Sequence, residues 1–128
     1  RAAMESAIFG MRGGLDAFRA LGFKPREIRL IGGGSKSKPW RQIAADVLNL
    51  PVKVPVLDEA AALGAAIQAL WCLEQLSPGG KTIAQLCTEH IKMDESAVAL
   101  PNAENVKQYN NAYEAYLKNL QAVMPLYQ

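Results

Sequence analysis

The segment Ile28–Trp40, IRLIGGGSKSKPW, decides the fold class of this 128-residue chain. Its first four residues, Ile28–Ile31, form a short apolar run that ends in glycine, which is typical of a buried strand. Apolar residues then recur with helical spacing over residues 38–48. Ser37 is placed to cap that helix, and Pro39 is tolerated in its first turn. The segment therefore predicts a strand, a tight glycine-rich turn and a helix.

The rest of the chain continues this alternation of helices and strands. The patterns predict a first helix that runs to about Leu21 and is ended by Gly22, and a strand over Pro51–Val56. A helix from Glu59 to about Leu76, capped by Asp58, follows the strand. A short helix over Ile83–Thr88 and a last helix over Ala103–Val123 complete the chain. The helix that starts at Glu59 is apolar almost all round, so we expect it to be buried on most faces. Residues 90–101 predict no element.

Strands that alternate with helices favour an α/β layer with a parallel sheet. Two strands alone would make a poor sheet, and the chain is in a helical pattern from Arg1 onwards. We therefore expect it to be a piece of a longer protein that supplies further strands upstream.

The composition excludes several classes of protein. Half of the residues are hydrophobic and a fifth are charged, which indicates an ordered globular domain. A net charge of +2 without a basic tract argues against a nucleic-acid partner. The longest apolar stretch, residues 60–73, is short for a membrane span and contains Gln68. Cys72 and Cys87 have no metal-site spacing, so we expect no metal ligands, free thiols and a cytoplasmic location.

Two familiar phosphate-binding motifs do not fit the glycine-rich turn. A P-loop needs glycine directly before its Lys-Ser pair, but Ser35 stands there. A dinucleotide fingerprint counted from Gly32 needs glycine where Ser37 stands. What remains is a helix start whose amide groups can receive an anion, and where the lack of Cβ atoms lets a flat ligand lie against the main chain. From the residues alone, a purely structural turn without a ligand is an equal alternative.

Two motifs at the correct spacing carry a family resemblance. The stretch GGGSKSKPWRQIAADVLNLPVKVPV, residues 32–56, followed by EAAALGAAIQA, residues 59–69, resembles the C-terminal nucleotide-binding domain of the FGGY carbohydrate kinases. The opening RAAMESAIFGMRGGLDAFRALG and the tyrosine-rich residues 102–120 are similar to helices of the same family. The resemblance implies an α/β fold class, as a helix-rich part of an actin/hexokinase-like (ribonuclease H-like) ATPase domain with a short parallel strand pair.

The resemblance also implies an activity and a set of site residues. Such enzymes transfer the γ-phosphoryl group of MgATP to a primary hydroxyl of a sugar, and the wording of the motifs is nearest to members acting on D-xylulose. Ribulose, fuculose, gluconate and glycerol stay open as alternative substrates. Gly32, Gly33 and Gly34 match the turn that lies against adenine and ribose and approaches the α-phosphate. Ser37 matches a position near the adenine, and Lys36 could meet a phosphate, although a solvated lysine fits the sequence equally well.

In this family the aspartate base, most sugar contacts and the phosphate-gripping hairpins belong to parts that precede the residues present here. The resemblance thus implies that residues 1–128 are the C-terminal part of the nucleotide-binding domain, without a catalytic residue and inactive alone. Its implied partners are an adenine nucleotide, the sugar through the N-terminal domain, and a second copy in a homodimer. A non-catalytic α/β interaction module, with a structural glycine turn, is the competing hypothesis.

Overall fold

The computed structural model describes residues 1–57 and 59–127. Its helices are α1 (Ala2–Ala20), α2 (Lys38–Leu48), α3 (Ala60–Glu74), α4 (Ile83–His90) and α5 (Ala103–Val123), and its strands are β1 (Ile28–Arg29) and β2 (Val52–Lys53). Short 3₁₀ helices cover Gly33–Lys36, Glu95–Ala97 and Met124–Tyr127. The predicted order of helices and strands is confirmed, although both strands are shorter than their apolar runs.

The two strands form the parallel pair that the sequence predicts. Ile28 lies opposite Val52, and Arg29 lies opposite Lys53. The Ile28 amide donates to the Pro51 carbonyl at 2.8 Å. Because both strands run in the same direction, the glycine-rich turn and the residues after β2 leave the sheet at the same end, where the strands have their carboxyl termini.

Residues 92–99, for which the sequence predicts no element, lie antiparallel along the free side of β2. Val52 and Ala99 exchange two hydrogen bonds of 2.9 Å each. Further along, the Asp94 amide donates to the Val54 carbonyl at 2.8 Å. These residues do not alternate regularly because the 3₁₀ turn Glu95–Ala97 interrupts the pairing. They act as a third, interrupted strand that covers one edge of β2.

The core lies where α1, α2 and α5 pack on the sheet. Its buried residues are Ile8, Phe9, Leu30, Ala44, Ala45, Val47, Leu48, Val52, Ala99, Tyr109 and Tyr113. Phe9 contacts the rings of three tyrosines of α5, at centroid distances of 5.4–6.2 Å. The tyrosine hydroxyls reach the rim, where Tyr109 donates to Glu5 Oε1 at 2.9 Å. The tyrosines thus join α5 to α1 mainly by packing.

The C-terminal ends of the first two helices are satisfied by hydrogen bonds. Gly22, at φ 86°, ends α1 in a Schellman motif in which the Phe23 amide donates to the Phe18 carbonyl at 3.1 Å. This confirms the predicted role of Gly22. At the end of α2, Arg19 of α1 donates to the Leu48 carbonyl at 3.0 Å, which places a cation at the negative end of the helix dipole.

The prediction that α3 is buried on most faces is wrong for this chain. Within the described residues of α3, Ile67 alone is buried, and no side chain or backbone atom lies within 4 Å of a Cβ built on Gly64. The apolar sequence of α3 is real, but the elements of this chain cover only one side of the helix. The predicted cap, Asp58, lies outside the described residues.

Candidate functional site: the glycine turn

The glycine turn, residues 32–36, leaves β1 through a backbone conformation that only glycine adopts readily. Gly32 has φ 80° and ψ −176°, a region in which a Cβ atom would clash with the neighbouring peptide groups. The chain then forms the 3₁₀ helix Gly33–Lys36, which no pattern in the sequence predicts, and passes directly into α2. Gly32 is therefore needed for the geometry of the turn itself.

Two serines fix the turn from within. Ser35 is 1% exposed, and both its amide and its hydroxyl donate to the Gly32 carbonyl, at 3.0 and 2.7 Å. Ser37 is the N-cap of α2, as predicted, with its hydroxyl accepting a hydrogen bond from the Trp40 amide at 3.4 Å. That contact is long, so the Ser37 hydroxyl keeps capacity for a further partner.

The outer surface of the turn is open. Gly32, Gly33, Gly34 and Lys36 are all exposed, and Ser37 is half-buried. A Cβ built on Gly33 meets nothing within 4 Å, whereas one built on Gly34 would lie 3.4 Å from Nε1 of Trp40. The first amide groups of a 3₁₀ helix have no partner within that helix, so the amides of Gly33 and Gly34 can serve a ligand. The turn therefore presents bare backbone to solvent over Gly33.

An apolar pocket borders the turn on the α3 side. Ile31, directly before Gly32, lines it together with Leu57, Leu63, Ile91 and Met93. Its walls come from the ends of β1 and β2, the first turns of α3 and the third strand. A flat, partly apolar ring next to an array of amide groups is the kind of ligand that such a surface accommodates.

Two residues at this site were not singled out from the sequence. Ser35 enters the sequence analysis only as the residue that excludes a P-loop, and the pattern of α2 gives Arg41 no special role. In the structure, Arg41 Nη1 donates to the Ser35 carbonyl at 2.7 Å. The sequence gives no sign of this contact, because its acceptor is a backbone carbonyl, which every residue has.

The charge of Arg41 also acts on Asp94 of the third strand. The pKa of the Asp94 carboxyl is lowered, first because the Ser96 hydroxyl and amide donate hydrogen bonds to it, with the positive charge of Arg41 adding to the shift. The lowered pKa favours the ionised form of the Asp94 carboxylate.

The described residues contain no group of three or more His, Cys, Asp or Glu side chains placed to bind a metal ion. Residues 1–57 and 59–127 also include no helix of the length and apolarity needed to cross a bilayer.

The sequence places the chain in a known family. Residues 1–73 match the model of the FGGY family of carbohydrate kinases, C-terminal domain. The chain belongs to this family, and the resemblance predicted from its two motifs is confirmed.

The relatives of the chain include a xylulose kinase and an autoinducer-2 kinase. Over 120 residues, which is 94% of the chain, it is 52% identical to a xylulose kinase of Haemophilus influenzae. It is 39% identical over 105 residues, 80% of the chain, to an autoinducer-2 kinase of Yersinia pestis, of which it covers 17%. The chain spans 23% of the length of the Haemophilus relative.

The crystal structure of a ligand-bound xylulose kinase from Lactobacillus acidophilus superposes with a TM-score of 0.82 at 24% identity, covering 96% of this chain and 24% of that one. This likeness concerns the fold. The predicted fold class, a helix-rich part of an α/β actin/hexokinase-like domain with a short parallel strand pair, is confirmed.

Proposed function

We propose that this chain is the nucleotide-binding part of an ATP-dependent sugar kinase, and that its glycine turn holds the adenosine of MgATP. The family is one of carbohydrate kinases, and the glycine turn lies in the part of the chain that the family model matches. Gly32 sets the shape of the turn, Gly33 and Gly34 offer amide groups, and Ser37 lies at the start of α2 next to them.

The observation that carries this proposal is the open backbone over Gly33. A glycine whose only role is a tight turn is normally explained by a positive φ or by a neighbour that excludes a Cβ. Gly33 has neither, since its φ lies outside the left-handed region and nothing lies within 4 Å of a Cβ built on it. A ligand in direct contact with the main chain supplies a reason for glycine there.

The chain's own residues bind and orient the nucleotide in this proposal. The amides of the turn and the positive end of the α2 dipole face the phosphates of the bound ATP. The apolar pocket that is lined by Ile31 lies next to the adenine base. Lys36 is exposed on the same segment and is proposed to face a phosphate. The Mg²⁺ ion arrives with the nucleotide, and we assign no residue of this chain to it.

The sugar is proposed to be D-xylulose, phosphorylated on a primary hydroxyl. The 52% identity to a xylulose kinase supports this choice over ribulose, fuculose, gluconate and glycerol. A second candidate is a substrate like that of the autoinducer-2 kinase, supported by 39% identity. We further propose that residues 1–128 are the C-terminal part of a longer cytoplasmic kinase, that the parts holding the sugar and the aspartate base precede Arg1, and that the enzyme forms a homodimer.

Substitution Gly33→Val in the full-length kinase tests the nucleotide site. The valine side chain enters the open space over the turn, so the Kd for MgATP measured by titration calorimetry should rise at least about tenfold, the equivalent of about 1.4 kcal/mol. The melting temperature should change little, because a Cβ built on Gly33 meets no protein atom within 4 Å.

Gly10→Val is the matched control, since Gly10 lies on α1 and also has nothing within 4 Å of a built Cβ. The control should bind MgATP like the unmodified enzyme. A folded Gly33→Val variant with unchanged MgATP affinity would overturn the nucleotide proposal and favour the non-catalytic interaction module.

A further inference from the structure

The glycine turn contains too few side chains to hold its own shape. Three successive glycines have more backbone freedom in the unfolded chain than any other residues, so ordering them costs more conformational entropy. The two hydrogen bonds from Ser35 to the Gly32 carbonyl close the turn on itself. The Ser37 amide also donates to the Gly34 carbonyl at 3.1 Å, at the N-cap of α2, and one further contact comes from a side chain outside the turn.

Arg41 supplies that contact from the first turns of α2. Its amide donates to the Ser37 carbonyl at 3.0 Å as part of the helix, while its side chain turns back and donates through Nη1 to the Ser35 carbonyl at 2.7 Å. A hydrogen bond from an ionised donor at this distance is shorter and stronger than one between neutral groups. The side chain of Arg41 thereby joins α2 to the glycine turn.

The side chain of Arg41 also lies near a carboxylate of the third strand. Arg41 is half-buried, and its positive charge contributes to the lowered pKa of Asp94, after the hydrogen bonds from Ser96. Asp94 is itself attached to the sheet through its amide, which donates to the Val54 carbonyl at 2.8 Å. Arg41 thus lies between the turn that carries the glycines and the strand that covers the edge of β2.

The geometry points to Arg41 as a positioning residue of the nucleotide site: its hydrogen bond to the Ser35 carbonyl holds the glycine turn so that Gly33 and Gly34 face the ligand. The inference rests on the proposed function, because it concerns the same site. Arg41 itself lies behind the turn and contacts the backbone of Ser35 rather than the open surface over Gly33.

The test compares Arg41→Gln and Arg41→Lys with the full-length kinase, in a background in which Trp71 and every tryptophan of the kinase outside this chain are replaced by phenylalanine, so that Trp40 is the single tryptophan. Glutamine removes the charge and shortens the reach, while lysine keeps a charged donor without the planar fork. Arg26→Gln is the matched control, because Arg26 is an exposed arginine before β1. The measurements are the Kd for MgATP, the KM for each substrate, kcat, the accessibility of Trp40 to acrylamide, and amide hydrogen exchange of residues 33–36 without ligand.

Arg41→Gln should raise the Kd and KM for MgATP about tenfold, as expected for the loss of one charge-assisted hydrogen bond that orders the site. The KM for the sugar and kcat at saturating MgATP should stay within about twofold. Exchange of the 33–36 amides should become faster, and Trp40, which lies beside Gly34, should become more accessible to acrylamide. The values for Arg41→Lys should lie between those of the unmodified enzyme and those of Arg41→Gln. Arg26→Gln should change neither the binding and kinetic constants nor the exchange rates and the Trp40 accessibility.

The inference is overturned if folded Arg41→Gln keeps the MgATP affinity and the exchange rates of the unmodified enzyme, or if kcat and both KM values change together. Should Arg41→Gln fail to fold, Arg41→Lys decides by the same criteria. Failure of the proposed function gives a different result, in which the unmodified enzyme does not bind MgATP. The exchange rates and the Trp40 accessibility then still report whether Arg41 holds the turn.

Discussion

Single residues of the glycine turn have separate tasks that their sequence does not distinguish. The triplet predicts either a special backbone geometry or a close approach, and the structure assigns the first to Gly32, at φ 80°, while Gly33 is open to solvent. Gly34 lies beside Trp40. Dihedral angles follow from how the turn joins a strand to a helix, so no count of glycines could have divided these tasks.

Gly32→Ala should destabilise the protein by about 1–3 kcal/mol, because alanine would be forced into a backbone region that is nearly restricted to glycine. Gly33→Ala should be close to neutral or slightly stabilising, since it restricts the unfolded chain without strain in the folded one. Urea denaturation of both variants measures the difference. Equal stabilities would show that the turn relaxes around a Cβ at Gly32.

At the scale of the elements, side chains that lie far apart in the sequence hold the helices together. The sequence patterns predict the helices but not these contacts. Asp46 of α2 is 2% exposed and accepts hydrogen bonds from the Asn102 amide at 2.8 Å and from Asn105 Nδ2 at 2.9 Å, at the start of α5. Helical spacing predicted both helices well, yet it gave no sign that a buried carboxylate joins them. The carboxylate also suits the positive end of the α5 dipole.

Asp46→Asn should lower the free energy of unfolding by about 1–3 kcal/mol, because its new amide group would face donors where an acceptor is needed. Asp16→Asn is the control, since Asp16 is 40% exposed and forms surface ion pairs with Arg12 and Arg19. Such pairs contribute at most about 1 kcal/mol. Chemical denaturation of both variants decides, and equal losses would contradict a structural role for the Asp46 contacts.

At the scale of the whole molecule, the element order and the fold class followed from periodicity and glycine placement, while burial did not. The sequence of α3 reads as buried, but most of that helix is exposed among the described residues, because burial depends on what else is present in the structure. The chain spans less than a quarter of its Haemophilus relative. A hydrophobic pattern indicates that a helix can be buried, but it does not say which element covers it.

We expect the full-length kinase and the 128-residue chain to differ in their rate of sugar phosphorylation, because the proposal places the sugar contacts and the aspartate base outside this chain. In a coupled assay of ADP release, the full-length enzyme should phosphorylate D-xylulose faster than ribulose, fuculose, gluconate, glycerol or an autoinducer-2 substrate. The isolated chain should give no rate above background with any of them, because the proposed aspartate base and sugar contacts precede it. Activity of the isolated chain, or a higher kcat/KM for another substrate, would contradict this assignment.

The interrupted third strand also has a consequence for the order of folding. β1, the glycine turn, α2 and β2 follow one another in the sequence. They can therefore assemble through local contacts while the chain is still being synthesised. The opposite edge of β2 pairs with Ala99, which leaves the ribosome only after α3 and α4. During that interval β2 presents unpaired backbone groups, and the nascent chain is then most exposed to wrong strand pairing with other molecules.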